Sequence, residues 1–314
     1  MKLENNDLLT IYNLENEKVS HKMLKFITQL VLMFAARIIV SFILATIYFG
    51  INYSEVQISA ELLNIDKNII LLELFSDFGV IAVYFIYNRL IDHYSYYTMG
   101  FDSKKIVKDY TLGAVIGFLM FCFCILSGVI FNQTEIISNL YNADYIFILL
   151  IFIGFLIQGM SEEILCRGFI MKTLSKKCGV LGGIMINSII FGLLHIFNDN
   201  ITFLAIFNLI LFGIFMSLVY YLTNNLWMVG AIHSIWNFSQ GSIFGIRVSG
   251  IELRESLWLS KNVTDNIYNG GTFGMEGGLF CMLVEVTGVI VCIYLINKKI
   301  KCKWKITTKI KTLK

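Results

Sequence analysis

None of the 314 residues of the sequence is a proline, and only 15% of the residues are charged. Soluble domains carry roughly 25% charged residues, so this composition excludes an ordinary soluble domain. Hydrophobic residues account for 57% of the chain, and the mean hydropathy is +0.72. We therefore predict a polytopic protein of the cell membrane. The missing proline also removes proline kinks as a cause of broken transmembrane helices.

Three other sequence signals are missing as well. The seven cysteines show no metal-ligand spacing and most lie in apolar runs, so we interpret them as small packing residues. The first 24 residues are polar and contain no early apolar core, so no signal peptide is expected. The long outer loop at 245–276 has no P-loop lysine followed by serine or threonine, so nucleotide binding is unsupported. We also expect no nucleic-acid partner.

Eight apolar stretches follow one another, and most are long enough for a helix of about 20 residues to cross the hydrocarbon core. A single segment in lipid has to satisfy its own backbone hydrogen bonds, which favours helix throughout. The predicted fold is all-α, a polytopic membrane helical bundle of about eight transmembrane helices, at about residues 26–49, 69–90, 110–131, 145–171, 180–197, 202–222, 227–244 and 277–296. The predicted organisation is a cytoplasmic N-terminal segment at 1–25, one transmembrane domain at 26–296 and a basic cytoplasmic tail at 297–314.

The distribution of lysine and arginine predicts the orientation of these helices. With the N-terminus inside, most of the 25 Lys and Arg residues fall on the inner side. Only four fall on the outer side, namely Lys67, Arg247, Arg254 and Lys261. Both termini are therefore predicted to be cytoplasmic. The lysine-rich tail either lies along the anionic inner leaflet or acts as a stop-transfer anchor.

Several polar side chains interrupt the apolar stretches, although a charged side chain at the bilayer centre costs roughly 2.5–3.5 kcal/mol. Glu163 and Arg167 are four residues apart, so they share one helix face. Glu162 lies about 100° round from Glu163 and is expected to face a cavity. Two later helices carry similar one-turn pairs, Phe191 with His195 and His233 with Asn237.

These residue types together favour hydrolysis. A carboxylate and an imidazole can hold a water molecule and remove its proton. A second imidazole and a carboxamide can donate hydrogen bonds to a developing oxyanion. No serine or cysteine is evidently coupled to a base, so attack by water is preferred over a covalent route.

The segments EEILCR, FGLLH and HSIWN, at residues 162–167, 191–195 and 233–237, resemble the EExxxR, FxxxH and HxxxN motifs of the CPBP family. That family contains intramembrane proteases related to the type II CAAX prenyl endopeptidase, and the bacterial Abi proteins linked to bacteriocin self-immunity. Each motif alone is weak, but three in this order within a core of about 145–245 are specific. The resemblance implies a helix bundle around a polar cavity, and an endopeptidase whose substrate is a membrane-associated peptide or protein.

The resemblance also implies roles for six side chains. Glu162 with His195 would activate water, Glu163 and Arg167 would support the site, and His233 with Asn237 would form the oxyanion hole. Metal-free water activation is favoured and no cofactor is certain. Zn²⁺ is the alternative, held by Glu162, His195 and His233, and the sequence has no HExxH motif to decide between them.

Depth counting creates one difficulty for this assignment. It places Glu162 toward the inner end of its helix and His195 toward the outer end of the next. For the two to meet, either the fourth helix extends past Leu174 and sits shifted outward, or the fifth span continues beyond Phe197. The leaflet toward which the site opens stays undecided at this point.

Other interpretations fit parts of the pattern. A non-hydrolytic membrane protein of the same fold would give bacteriocin self-immunity by binding a bacteriocin or its receptor. A transporter or channel would use the charged residues that lie inside spans but outside the motifs, namely Arg37, Glu73, Asp77 and Glu285. We expect Arg37 and Asp77 to form a structural ion pair, because they fall at similar depth in adjacent helices. The motif residues themselves have simpler alternatives, as a helix-holding ion pair and as hydrogen-bonded core side chains.

Overall fold

The computed structural model describes residues 19–51 and 62–312, with side chains placed at 24–50 and 68–300. Most of the predicted N-terminal segment, the side chain of Lys67 and the side chains at the end of the basic tail lie outside these ranges. The α-helices are α1 Val19–Ile51, α2 Leu62–Ser76, α3 Phe78–Ile86, α4 Tyr96–Met99, α5 Ile106–Ile130, α6 Tyr145–Glu163, α7 Lys172–Leu194, α8 Phe203–Thr223, α9 Leu226–Phe238 and α10 Leu279–Thr312. Three π-helical segments extend α3, α6 and α9, at Tyr87–Ile91, Ile164–Met171 and Ser239–Ile243. The strands are β1 Thr134–Ser138 and β2 Trp258–Asn262.

Six helical stretches of the described chain are long and apolar enough to cross a membrane, at Leu24–Gly50, Asn68–Ile91, Ser103–Ile130, Tyr145–Leu194, Phe203–Thr223 and Leu279–Ile300. The long fourth stretch contains two of the predicted spans, because its backbone leaves helical geometry at Cys178 and Gly179. The remaining predicted span, 227–244, is present as α9 and the π-helical segment that follows it. The prediction of an all-α membrane bundle is confirmed.

The helix that carries Glu162 is longer than the apolar pattern indicated. α6 continues through its π-helical segment and the first turns of α7 before the chain breaks at Cys178 and Gly179. Gly179 has φ 74°, a left-handed conformation that glycine adopts without steric cost. The fourth predicted helix therefore does extend past Leu174, which is one part of the first alternative required by depth counting.

Helix α9 lies at the centre of the bundle and packs most extensively against α5 and α6. Glycines on both neighbours allow the close approach. A Cβ added at Gly117 of α5 would collide with the backbone oxygen of Ile232, and one added at Gly159 of α6 would lie 2.7 Å from the backbone nitrogen of Ser234. Small residues serve the same purpose in many membrane helix pairs. This packing holds His233, between those two contacts, against the helix that carries Glu162.

The segments that connect the helices contact one another in two groups, one at each end of the bundle. β1 pairs antiparallel with β2, which joins the loop after α5 to the loop after α9. At the opposite ends of the helices, Nζ of Lys172 donates to the Thr98 oxygen at 3.0 Å and Nζ of Lys299 donates to the Leu222 oxygen at 3.1 Å. These groups match the predicted alternation of loops, although the small sheet was not anticipated. Which group faces the cytoplasm stays a prediction.

The outermost helix is α1, which exposes large apolar side chains such as Ile38 and Phe42, at 69% and 73%. Side chains of this kind contact lipid when the helix lies in a bilayer. The buried core lies instead around α6, α8 and α9, where Ile164, Met216 and Val229 are fully enclosed. The polar side chains of the three motifs project from these inner helices and from α7.

Candidate active site

Glu163 and Arg167 form an ion pair in the centre of the bundle. Nη1 of Arg167 donates to Oε1 of Glu163 at 2.8 Å, and both side chains are 0% exposed. Nη2 of Arg167 donates to the Gly213 oxygen at 3.1 Å, and the guanidinium lies 4.9 Å from the centre of the Phe191 ring. Phe191 therefore packs on the guanidinium in a cation–π contact. The pairing predicted from the four-residue spacing is confirmed.

His233 joins this ion pair from α9. Its Nδ1 lies 2.9 Å from Oε1 of Glu163. Because a carboxylate can only accept, Nδ1 carries the proton in this contact. The other ring nitrogen, Nε2, lies 3.8 Å from Oε2 of Glu162. That separation is too long for a direct hydrogen bond, so the two atoms face each other across an opening.

Glu162 has one oxygen engaged and one oxygen free. Oε1 accepts a hydrogen bond from Nε2 of Gln158, whose own oxygen accepts from Nδ2 of Asn237 at 3.0 Å. Oε2 is buried and has no hydrogen-bond partner among the described residues. The chain Glu162–Gln158–Asn237 thus joins the first motif to the third. Sequence reasoning missed Gln158, although its position four residues before Glu162 on the same helix face was the available signal.

His195 lies where α7 ends. Its Nδ1 is 2.8 Å from the backbone oxygen of Phe191, and since a carbonyl only accepts, Nδ1 is the donor. Nε2 is left as an acceptor. No hydrogen bond or ion pair joins His195 to Glu162 in the part of the chain that the structure describes. The imidazole beside Glu162 is that of His233, whereas the sequence analysis paired Glu162 with His195.

A further carboxyl group, on Glu276, reaches the site from the loop after α9. It lies in the short 3₁₀ turn Met275–Gly277, and its Oε2 accepts from the backbone nitrogen of Ser249 at 3.0 Å and from the Ser249 hydroxyl at 2.7 Å. Burial raises the pKa of Glu276 above its usual value, while the Ser249 hydrogen bonds and the nearby imidazoles of His195 and His233 oppose that shift. No motif in the sequence pointed to this residue.

These side chains line one cavity of about 320 Å³. Its polar lining from the inner helices consists of Gln158, Glu162, His195, His233, Asn237 and Glu276. The first helices add Arg37, Glu73 and Asp77. Nε of Arg37 lies 2.7 Å from Oδ1 of Asp77, so the ion pair expected between them is confirmed. The expectation that Glu162 faces a cavity while Glu163 engages Arg167 is confirmed as well.

The fit of this site to a zinc ion is incomplete. Oε2 of Glu162 and Nε2 of His233, 3.8 Å apart, are compatible with two ligands of one ion, since each would lie about 2.0–2.2 Å from zinc. Within the described residues, however, no group of three or more His, Cys, Asp or Glu side chains is placed to hold a metal ion. The implied set of Glu162, His195 and His233 is therefore not assembled.

Two of the three motif helices, α6 and α9, change from α to π geometry next to their motif residues. The π-helical segment of α6 begins directly after Glu163, and that of α9 begins two residues after Asn237. Segments of this kind are rare and often occur at functional sites. Here they continue the two helices whose side chains form the Glu163–His233 and Gln158–Asn237 contacts.

Residues 144–239 match the model of a family described as Rce1-like, type II CAAX prenyl endopeptidase Rce1-like. The matched segment contains the three motifs and the six side chains singled out from the sequence. The match confirms the resemblance that the motifs indicated, over this part of the chain. Helices α1 to α5 and the loop that carries Glu276 lie outside it. The comparisons with curated proteins and with solved structures gave no match.

Proposed function

We propose that the protein is an intramembrane endopeptidase that uses water to hydrolyse a peptide bond of a membrane-associated peptide or protein. The observation that carries the proposal is the position of Glu162. Its Oε2 atom is buried, has no hydrogen-bond partner among the described residues and lies 3.8 Å from Nε2 of His233 at the cavity. The match of residues 144–239 to an endopeptidase family supports the same reaction.

In the first step, water attacks the carbonyl carbon of the scissile bond. Oε2 of Glu162 takes one proton from the water, because it is the carboxylate oxygen that no donor occupies. Nε2 of His195 accepts the second O–H of the same water, since its Nδ1 is already bound to the Phe191 oxygen. The water oxygen forms the new C–O bond, and the carbonyl π electrons move onto the carbonyl oxygen.

The oxyanion formed in this step needs hydrogen-bond donors. Asn237 gives one amide hydrogen to Gln158, which leaves its second N–H for the substrate. His233 contributes in its doubly protonated form, in which Nε2–H faces the cavity while Nδ1–H stays bound to Glu163. The Glu163 carboxylate stabilises this imidazolium, and Arg167 holds the carboxylate in place.

In the second step the tetrahedral intermediate collapses and the C–N bond breaks. The leaving amine takes the proton that Glu162 removed from water, so Glu162 returns to its ionised form. The products are one new carboxylic acid and one new amine, and proton exchange between them gives a carboxylate and an ammonium group. The mechanism contains no metal step, because the described residues do not assemble a three-ligand set.

The proposal places a multi-pass protein in the cell membrane with both termini in the cytoplasm. The excess of lysine and arginine in the loops of one side and in the tail at 297–314 supports this orientation. Under this orientation the loops that carry β1 and β2 lie outside, and Glu276 belongs to the outer end of the cavity.

The proposal is tested by comparing peptide termini in membranes of cells that carry the wild type or Glu162→Gln at equal protein levels. Glutamine keeps the shape of the side chain but cannot take a proton from water. The proposal predicts cleavage products that are present only with the wild type. Identical profiles, with a toxin-resistance phenotype kept in both strains, would contradict it and favour the non-hydrolytic immunity protein.

A further inference from the structure

Glu285 is a buried carboxyl group inside α10 that the proposed mechanism does not use. Its side chain is 2% exposed and lines the same cavity as Glu162. Oε1 accepts only a weak hydrogen bond from the Cys281 thiol, at 3.4 Å. Oε2 is buried and has no hydrogen-bond partner among residues 24–50 and 68–300. An ionised carboxylate in an apolar interior is costly unless a partner compensates it.

The side chains around this cavity carry more acidic groups than basic ones. Five carboxyl groups line it, from Glu73, Asp77, Glu162, Glu276 and Glu285, against the guanidinium of Arg37 and the imidazoles of His195 and His233. Arg37 is already bound to Asp77 through Nε. Glu276 lies close enough to Glu285 to interact with it electrostatically. A cleft with an excess of one sign of charge and apolar walls attracts ligands of the opposite charge.

We infer that Glu285, with Glu276 beside it, forms a specificity subsite that receives a lysine or arginine side chain of the peptide substrate. The inference rests on the proposed endopeptidase function. The free Oε2 of Glu285 provides the acceptor for the ammonium or guanidinium group. Apolar cavity walls, including Phe155, Leu209 and Phe212, suit the aliphatic part of such a side chain.

The position of the subsite also limits how far, along the substrate chain, the basic residue can be from the scissile bond. Glu162 and Glu285 line one cavity of about 320 Å³, and an extended peptide advances roughly 3.3–3.6 Å per residue. The basic side chain therefore belongs to a residue close to the scissile bond. Glu285 is a specificity residue in this account, whereas Glu162 carries the chemistry.

The experiment maps cleavage sites in membranes of cells that carry the wild type, Glu285→Gln or Glu252→Gln, with Glu162→Gln as the inactive reference. Glu252 is the control, because its carboxylate is exposed, pairs with Arg247 and does not belong to the cavity lining. We expect lysine or arginine to be enriched at one position within three residues of the cleaved bonds for the wild type and for Glu252→Gln. We expect Glu285→Gln to cleave but to lose this enrichment.

A peptide pair makes the test independent of how well the variant accumulates. One peptide carries a mapped site with its lysine, and the other carries norleucine in the same place. The purified wild type should cleave the lysine peptide with a kcat/KM at least tenfold higher, and Glu285→Gln should cleave both alike.

The outcomes separate this inference from the proposed function. Cleavage that depends on Glu162 but shows no basic residue near the bond, or equal kcat/KM for the two peptides with the wild type, would overturn the subsite alone. An enrichment that survives Glu285→Gln would also overturn it. The absence of any Glu162-dependent cleavage would overturn the proposed function and the subsite together.

Discussion

The His233 imidazole donates through Nδ1 to Oε1 of Glu163 at 2.9 Å, and this contact connects the first motif to the third. The same oxygen accepts from Nη1 of Arg167 at 2.8 Å. The shared carboxylate directs the other nitrogen of His233 toward Glu162. A helix-holding ion pair and a hydrogen-bonded core histidine would account for these contacts, but neither requires Nε2 of His233 to lie near Glu162 at the cavity.

Glu163→Gln should impair both folding and turnover. The substitution removes the negative charge that Arg167 and His233 share, and breaking a buried ion pair costs about 3–5 kcal/mol. We expect a clear drop in the unfolding temperature in detergent, and a loss of turnover beyond what the remaining folded fraction explains. Glu252→Gln breaks the exposed pair with Arg247, worth about 0–1 kcal/mol, and should change neither. Normal activity of the Glu163→Gln variant would show that Glu163 does not contribute to the active site.

Gln158→Leu should lower kcat by about 10–100-fold, the scale on which supporting residues act in other sites. Leucine fills similar space but cannot hold Glu162 or Asn237 in position. We expect KM to change little, since in the proposed mechanism Gln158 positions Glu162 and Asn237 and makes no substrate contact. The matched control is Gln29→Leu, which replaces a buried glutamine of α1 outside the cavity lining. If both variants change kcat equally, Gln158 contributes only through packing.

Gly117→Ala should separate α5 from α9, because the added methyl group would collide with the backbone oxygen of Ile232. Overpacking of this kind costs typically about 1–3 kcal/mol. The neighbouring His233 moves with α9, so turnover should fall together with the unfolding temperature. Gly50→Ala is the control, since nothing in the described structure lies within 4 Å of an added Cβ there. Unchanged unfolding of Gly117→Ala would show that the two helices are not in this contact.

Glu276 should make the stability of the protein depend on pH. Burial raises its pKa in the folded protein above the ordinary value of 4.5. At pH values between 4.5 and the raised pKa, the folded state binds more protons than the unfolded state. The free energy of unfolding therefore falls as the pH rises through this window. Glu276→Gln should flatten that fall in unfolding temperatures measured from pH 4.5 upward. Glu252→Gln, at an exposed carboxylate, should leave the slope unchanged, and equal slopes for all three proteins would contradict the burial of Glu276.

Metal chelators should leave turnover unchanged, because Glu162, His195 and His233 do not form a three-ligand group among the described residues. The measurement is hydrolysis before and after dialysis against a strong zinc chelator, with the zinc content of the protein determined in parallel. A loss of activity that stoichiometric zinc restores would contradict the metal-free mechanism.

The motif spacing predicted a large part of this site because a helix places residues four apart on one face. The Glu163–Arg167 pair and the exposure of Glu162 to a cavity follow from that rule alone. The Arg37–Asp77 pair followed from comparing depth in adjacent helices. Contacts between distant helices did not follow from spacing, which is why Glu162 was paired with His195 although His233 is the imidazole beside it.

The residues missed by sequence reasoning belong to long-range contacts. Gln158 matters because Asn237 of α9 lies against it, and nothing local in α6 indicates that partner. Glu276 reaches the cavity because the loop after α9 returns over it, held through Ser249. The two-stranded sheet depends on a pairing between segments more than 100 residues apart, and each strand is too short to carry a clear alternating pattern.

Hydrolysis by the purified protein tests the central claim most directly. The substrate is a peptide taken from a mapped cleavage site, added to lipid vesicles that contain the wild type, Glu162→Gln or Glu135→Gln. Glu135 is the control, an exposed carboxylate on β1. We predict equal turnover for the wild type and Glu135→Gln, and a loss of about 10²–10⁴-fold for Glu162→Gln, the usual contribution of a general base, at an unchanged unfolding temperature. Full turnover by Glu162→Gln would contradict the account.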